Sequence, residues 1–188
     1  MRIIAILLVS IASLLGAKVE PDKIVTAARS QIGRTVSYDA AYRKLPYPGG
    51  DVPINTGVCT DVVVRALREQ GIDLQKLVHE DMKRNFAAYP KKWGLKAPDA
   101  NIDHRRVPNL MTFLQRQGAA QAVTNRVEQF RPGDIVSWDL SSGVPHIGIV
   151  SDRRSAKGTP LIIHNIGRGT QEEDLLFGFK MTGHYRWK

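Results

Sequence analysis

The sequence has 188 residues, of which 43% are hydrophobic and 24% are charged, and these proportions are ordinary for a globular protein. It shows no internal repeat and no low-complexity tract, which excludes repeat, fibrous and linker-type chains. The formal net charge of +9 suits anionic surroundings such as cell-wall polymers, although simple solubility explains it equally well. The basic residues are dispersed and are not interleaved with aromatic residues, so no nucleic-acid partner is expected.

The N-terminus has the pattern of a secretory signal. Met1 and Arg2 precede an apolar run over residues 3–15, and Gly16 and Ala17 follow it. The run is shorter than the ~20 residues that a membrane span needs, so no stable membrane anchor is expected after cleavage. An uncleaved anchor is the alternative. We therefore predict a signal over residues 1–17, a single domain over residues 18–188, and a periplasmic or secreted bacterial protein.

The first predicted helix runs from Pro21 to Ile32, with apolar residues at helical spacing and Gly33 at its end. Tyr38 follows, before a loop rich in proline and glycine that leads to the cysteine. Tyr38 is a candidate for the wall of a substrate cleft, and packing of the loop on the surface is the alternative.

The only cysteine, Cys59, lies in the first turn of a second predicted helix, with Thr56 as its N-cap and Gly71 after its end. The helix dipole and the unpaired backbone N–H groups there favour a thiolate, while Asp61 opposes it unless it caps the helix. Arg65 falls on the predicted solvent face. A buried cysteine acting as a small hydrophobe is the alternative interpretation. A free thiol kept outside the cytoplasm, however, indicates a use.

A dense polar cluster over residues 103–106 precedes a predicted helix that begins near Pro108. Asp103, His104, Arg105 and Arg106 are candidates to bind a substrate carboxylate, because arginine pairs with a carboxylate through two hydrogen bonds. A network of hydrogen bonds and ion pairs within the loop is the alternative.

Two β-branched, apolar runs near the C-terminus predict a β-hairpin over residues 146–151 and 161–165. If its turn centres near Ser155, His146 lies opposite His164 and the two side chains share one face of the sheet. Asn165 then points to the other face unless a bulge shifts the register.

These residues together predict a cysteine hydrolase. Cys59 would attack a carbonyl carbon, His146 would take the thiol proton, and His164 would orient the imidazole of His146. The backbone N–H of Cys59 is a candidate oxyanion donor, because it lies at a helix start.

Five short segments in this order resemble the NlpC-type branch of the papain-like cysteine peptidases: Ser30-Gln31-Ile32-Gly33, Cys59-Thr60-Asp61-Val62-Val63, Arg131-Pro132-Gly133-Asp134, His146-Ile147-Gly148-Ile149-Val150 and Ile162-Ile163-His164-Asn165. The resemblance implies an α+β fold in which N-terminal helices pack on a C-terminal antiparallel β-sheet. It also implies cleavage of amide bonds in peptidoglycan stem peptides. The chain more closely resembles an exported bacterial group described only as a domain of unknown function.

The resulting hypothesis is an exported thiol hydrolase that acts on peptidoglycan or a similar amide. The alternatives are a cell-wall-binding module without turnover, and an acyltransferase that uses the same thioester. We expect a monomer with neither metal nor cofactor. The candidate substrate-binding residues are Tyr38, Asp103, His104, Arg105 and Asn165.

Overall fold

The structure is a computed structural model that describes residues 19–141 and 143–187. The predicted signal over residues 1–17 lies outside the described residues. The α-helices are α1 (Pro21–Arg29), α2 (Cys59–Arg68), α3 (Leu74–Asn85) and α4 (Val107–Arg116). Short 3-10 helices cover Phe86–Ala88, Asp103–Arg105 and Val127–Gln129.

Six strands form one antiparallel sheet in the order β3-β8-β4-β5-β6-β7. They are β3 (Ala120–Gln121), β4 (Ile135–Asp139), β5 (Pro145–Arg154), β6 (Pro160–Asn165), β7 (Thr170–Glu173) and β8 (Lys180–Tyr185). Two further strands, β1 (Ser37–Tyr38) and β2 (Thr56–Gly57), pair in parallel directly before α2.

The helices cover one face of the six-stranded sheet. Val62, Val63 and Leu67 of α2 belong to the same buried cluster as Ile147 and Ile149 of β5. The opposite face carries a second, smaller cluster that includes Trp138, Val150 and Ile162. Because β-strand side chains alternate between faces, successive residues of β5 and β6 serve the two clusters in turn. The predicted α+β class, with N-terminal helices on a C-terminal antiparallel sheet, is confirmed. Within residues 19–141 and 143–187, every helix is too short or too polar to cross a membrane.

The start of α2 differs in detail from the prediction. Thr56 lies in β2 and the N-cap residue is Val58, whose backbone N–H donates to Asp61 Oδ2 at 2.7 Å. Cys59 is thus the first helical residue. The predicted solvent position of Arg65 is wrong, since its side chain is only 7% exposed and donates to Asp51 at 2.8 Å. A buried guanidinium of this kind requires a carboxylate partner, which the loop before the helix supplies.

The β5–β6 hairpin forms, but its register differs by two residues from the predicted one. Ile149 pairs with Ile163 and Val150 with Ile162, so one further step places His164 beside Gly148 and not beside His146. Because the difference is an even number of residues, the side chains of both histidines still point to the same face.

Candidate active site

Cys59 lies at the N-terminus of α2, where the helix meets strand β5. Its side chain is buried, and the backbone N–H groups of Ile147, Thr60 and Cys59 itself point towards the sulfur. Burial raises the pKa of the thiol to about 12, more than these donors lower it, and the charge of Asp61 adds to the rise. Desolvation therefore outweighs the effect of the helix start, and Asp61 acts in the predicted direction against the thiolate.

A buried ion pair holds the beginning of this helix in place. Asp61 accepts hydrogen bonds from Arg105 Nε at 3.0 Å and Nη2 at 2.9 Å, and the two side chains are only 3% and 2% exposed. Arg105 also donates to the carbonyl oxygens of Ala41 at 3.1 Å and Asp39 at 2.9 Å. The carboxylate that Arg105 binds is thus an internal one, and its guanidinium joins three chain segments around Cys59.

His146 and His164 meet at the ends of β5 and β6. His146 Nε2 lies 3.0 Å from His164 Nδ1, and the rings are nearly perpendicular with centroids 5.1 Å apart. Burial, with a contribution from His164, lowers the pKa of His146 to about 3, and burial also lowers the pKa of His164. Both imidazoles are therefore neutral at rest.

The remaining ring nitrogen of His146, Nδ1, makes no hydrogen bond to any described residue. Nor does any hydrogen bond join His146 to Cys59 within the described ranges, although the backbone of the next residue, Ile147, reaches the sulfur. The two side chains lie on different faces of the sheet: Cys59 packs with Ile147 of β5, whereas the His146 ring lies against Trp138 in the opposite cluster.

Glu173 is a further member of the site that the sequence patterns did not indicate. Its Oε2 lies 3.2 Å from His164 Nε2, and its Oε1 pairs with Arg168. The Glu173 carboxylate acts to raise the pKa of His164 against the larger effect of burial. No motif marks this residue, because the pairing of β7 with β6 places it there.

Two neighbours confine the histidine pair. A Cβ atom at Gly148 would lie 2.7 Å from Ile162 Cγ2 and 3.0 Å from His164 Cβ, so a side chain at this position would displace the hairpin partner. The Trp138 ring lies against His146, with centroids 5.9 Å apart. Glycine at position 148 thus allows β5 and β6 to approach closely beside the histidine pair.

Asn165, a candidate for substrate binding, is completely buried. Its Nδ2 donates to the carbonyl oxygens of Ser37 at 3.1 Å and Gly57 at 2.9 Å, and its Oδ1 accepts from Gly167 N at 3.1 Å. The amide therefore joins the end of β6 to the two short strands that precede Cys59.

A cleft of about 470 Å³ opens above the cysteine. Among the other candidates for substrate binding, Tyr38 and Arg105 line this cleft. The Tyr38 side chain is 43% exposed, while burial of its hydroxyl and the nearby Cys59 raise its pKa to about 12. Asp103 and His104 do not line the cleft.

Asp103 and His104 are instead buried in the 3-10 turn behind the cleft wall. Burial raises the pKa of Asp103 to about 6 and lowers that of His104 to about 4. Asp103 accepts a backbone hydrogen bond from Asp99, which stabilises the turn. Within the part of the chain that the structure describes, no group of three or more histidine, cysteine or acidic side chains is placed to hold a metal ion.

The site thus consists of a cysteine at the start of a helix that packs on an antiparallel sheet, and of two histidines carried by that sheet. Residues 25–187 match the family described as "Domain of unknown function (DUF1287)", and the chain belongs to this family. The predicted membership of a domain-of-unknown-function group is thereby confirmed. The chain is also 60% identical over 164 residues to "Uncharacterized protein YijF" of Escherichia coli (strain K12), covering 87% of this chain and 80% of that protein.

Solved structures of NlpC proteins have a similar arrangement at low sequence identity. NlpC1 of Trichomonas vaginalis has a TM-score of 0.48 at 11% identity over 89% of this chain and 44% of its own. NlpC2 of the same organism has a TM-score of 0.48 at 14% identity, over 88% and 46%. An NLP/P60-family protein of Staphylococcus aureus has a TM-score of 0.40 at 13% identity, over 88% and 41%. The chain spans less than half the length of these proteins, and such scores carry no activity over to it.

Proposed function

We propose that this protein is a cysteine hydrolase that cleaves an amide bond, in peptidoglycan stem peptides, through an acyl-enzyme on Cys59. The observation that carries the proposal is the contact of His146 Nε2 with His164 Nδ1 at 3.0 Å. It leaves Nδ1 of His146 without a described partner, one residue before Ile147, whose backbone N–H points towards the Cys59 sulfur. The apolar predicted signal and the net charge of +9 support a periplasmic or secreted site of action on an anionic wall.

The neutral resting state sets the order of proton transfer. The thiol and the imidazole are both uncharged and are not in contact, so the mechanism requires the His146 ring to reach the thiol in the substrate complex. The Cys59 proton then passes to His146 Nδ1 as the sulfur attacks the carbonyl carbon. The backbone N–H of Cys59 at the helix start then stabilises the oxyanion. His146 returns the proton to the leaving amine, and water releases the acyl group from the thioester.

The second histidine acts by fixing the tautomer of the first. With the Glu173 carboxylate 3.2 Å from its Nε2, His164 carries its proton on Nε2 and its Nδ1 is an acceptor. His146 therefore donates from Nε2, and the lone pair on its Nδ1 is free for the thiol proton. In this role His164 and Glu173 position the base and do not touch the substrate.

One observation favours a second candidate, a wall-binding module without turnover. The pKa of Cys59 is raised to about 12, and no hydrogen bond between the described side chains links it to His146. A protein that had lost catalysis would tolerate both features.

The test is incubation of purified peptidoglycan with the wild-type protein, Cys59→Ala and His146→Ala, with released fragments identified by mass spectrometry. His79→Ala is the matched control, since His79 lies outside the cleft. We expect new fragments from wild type and His79→Ala alone. Equal release by Cys59→Ala contradicts the proposal, and wall binding without fragments favours the module. Fragments that carry an added amine acceptor identify acyl transfer in place of hydrolysis.

A further inference from the structure

The cleft above Cys59 has a marked asymmetry of charge. Two arginines, Arg105 and Arg106, line it, whereas no described aspartate or glutamate does. Its remaining walls include the aromatic rings of Tyr42 and Trp93, which are 60% and 39% exposed. A group that enters this cleft therefore meets apolar walls and positive charge.

Only one of these two arginines is free to act on a ligand. Arg105 is 2% exposed and donates to Asp61 through Nε and Nη2 and to two backbone carbonyl oxygens. The Arg106 side chain is 16% exposed and has a single hydrogen bond to a described residue, from Nη1 to Asp103 Oδ1 at 3.4 Å. Asp103 does not line the cleft but lines an adjacent small cavity, which Trp93 and Arg106 also line, so Arg106 stands between the two spaces. Most of the five N–H donors of Arg106 are thus unused.

Stacking holds the Arg106 guanidinium in a defined orientation. Its Cζ lies 4.2 Å from the centroid of the Trp93 ring, a cation–π contact that holds the guanidinium beside the ring. Another lining residue, Tyr42, is also held in place, because its hydroxyl donates to Asp99 Oδ2 at 3.0 Å. An arginine held against an aromatic ring, with most of its donors unused, is suited to bidentate binding of a planar anion.

We infer that Arg106, stacked on Trp93, is the anion subsite of this cleft and selects substrates that carry a free carboxylate near the bond to be cleaved. This inference deepens the proposed function, since it names the substrate class of the same site. It assigns the carboxylate-binding role to one residue of the 103–106 cluster, while the other three are committed to internal contacts or burial.

The test measures binding separately from turnover. Calorimetry on the Cys59→Ala protein compares a synthetic stem tetrapeptide with the same peptide in which every carboxylate is a carboxamide. A charge-assisted bidentate contact predicts roughly 10-fold or greater preference for the carboxylate peptide. Arg106→Gln in the same background removes this preference, and Arg106→Lys, which keeps the charge without the planar fork, retains part of it. Arg126→Gln, an exposed control at 69% side-chain exposure, leaves it unchanged.

The outcomes separate the two proposals. The subsite is overturned if the folded Arg106→Gln protein keeps the preference for the carboxylate peptide. It is also overturned if the parent Cys59→Ala protein shows no such preference or binds neither peptide. Carboxylate-selective binding that depends on Arg106, together with intact peptide after incubation with the wild type, refutes hydrolysis and leaves the subsite standing. Unfolding curves of Arg106→Lys, Arg106→Gln and Arg126→Gln check that each variant is folded.

Discussion

The Asp61–Arg105 ion pair offers a sharp test of how the nucleophile is held. Asp61→Asn keeps the shape of the side chain and an oxygen to accept from Val58 N–H, but removes the charge that faces a guanidinium only 2% exposed. Removal of one partner from a buried pair leaves the other charge uncompensated, at a cost of about 3–5 kcal/mol. We therefore expect the free energy of unfolding to fall by that amount.

The assay is equilibrium unfolding in urea, with the same chemical change made at an exposed pair as the control. Glu128 pairs with Arg126 at 3.5 Å, with side chains 63% and 69% exposed, and Glu128→Gln should change stability by less than about 1 kcal/mol. Adding Arg105→Met to Asp61→Asn removes the stranded charge, so the double variant should be more stable than the sum of the single changes implies. A cost below about 1 kcal/mol for Asp61→Asn would refute the argument that this pair is desolvated.

Three further predictions follow from the titration of the site. Burial raises the pKa of Cys59 to about 12, so iodoacetamide should alkylate the native thiol at pH 7 more slowly than it alkylates the urea-unfolded chain. The alkylation rate of the native protein should also rise with pH. Fast alkylation that does not change from pH 6 to 8 would instead show a preformed thiolate. Glu173→Gln removes the charge that faces the second histidine, so kcat for peptide cleavage should fall about 10-fold or more with KM unchanged, while Glu128→Gln retains full activity. Burial depresses the pKa of His146 to about 3 and that of His104 to about 4, so the unfolded chain binds more protons at both below pH 6.5. The free energy of unfolding should therefore decrease as pH falls from 6.5 to 4. Asp103 opposes part of this decrease, because its raised pKa of about 6 favours the folded state in acid. A free energy of unfolding that stays constant over this pH range would contradict neutral buried imidazoles.

The local patterns of the sequence predicted the elements of the site well. The apolar spacing after Cys59 and the glycine at position 71, which has a φ of +77°, indicated α2 and its end correctly. The β-branched runs indicated the hairpin that carries both histidines. Such features depend on neighbours within a few residues, and a sequence displays those directly.

The charge state of the thiol was not predictable in this way. The helix start is a local feature and favours a thiolate, whereas desolvation depends on β5, which follows Cys59 by more than 80 positions. The buried ion pairs of Arg65 and Arg105 have the same origin. Their carboxylate partners, Asp51 and Asp61, stand at no regular spacing from them, so nothing in the sequence separates these arginines from solvated ones.

The hairpin register failed for a more specific reason. Ser155 N donates to Thr159 O at 2.8 Å, so the turn lies farther along the chain than its predicted centre near Ser155. An irregularity between Val150 and Arg154 then shifts the pairing back in part. Together the two effects displace the strand register by two residues from the predicted one. Because this number is even, both histidines still point to the same face of the sheet.

Asn165 connects distant parts of the chain near the site without depending on their side chains. One amide bridges chain segments that lie 128 and 108 positions away from it, and it does so through backbone carbonyl oxygens, which every residue type provides. The attachment of the β6 end to the two short strands before Cys59 is therefore independent of the side chains at those two anchor points. Within the loop between the anchors, residues 39–55, Asp51 and the carbonyl groups of Asp39 and Ala41 hold the buried Arg65 and Arg105. The other positions of this loop can change during evolution without loss of the Asn165 bridge.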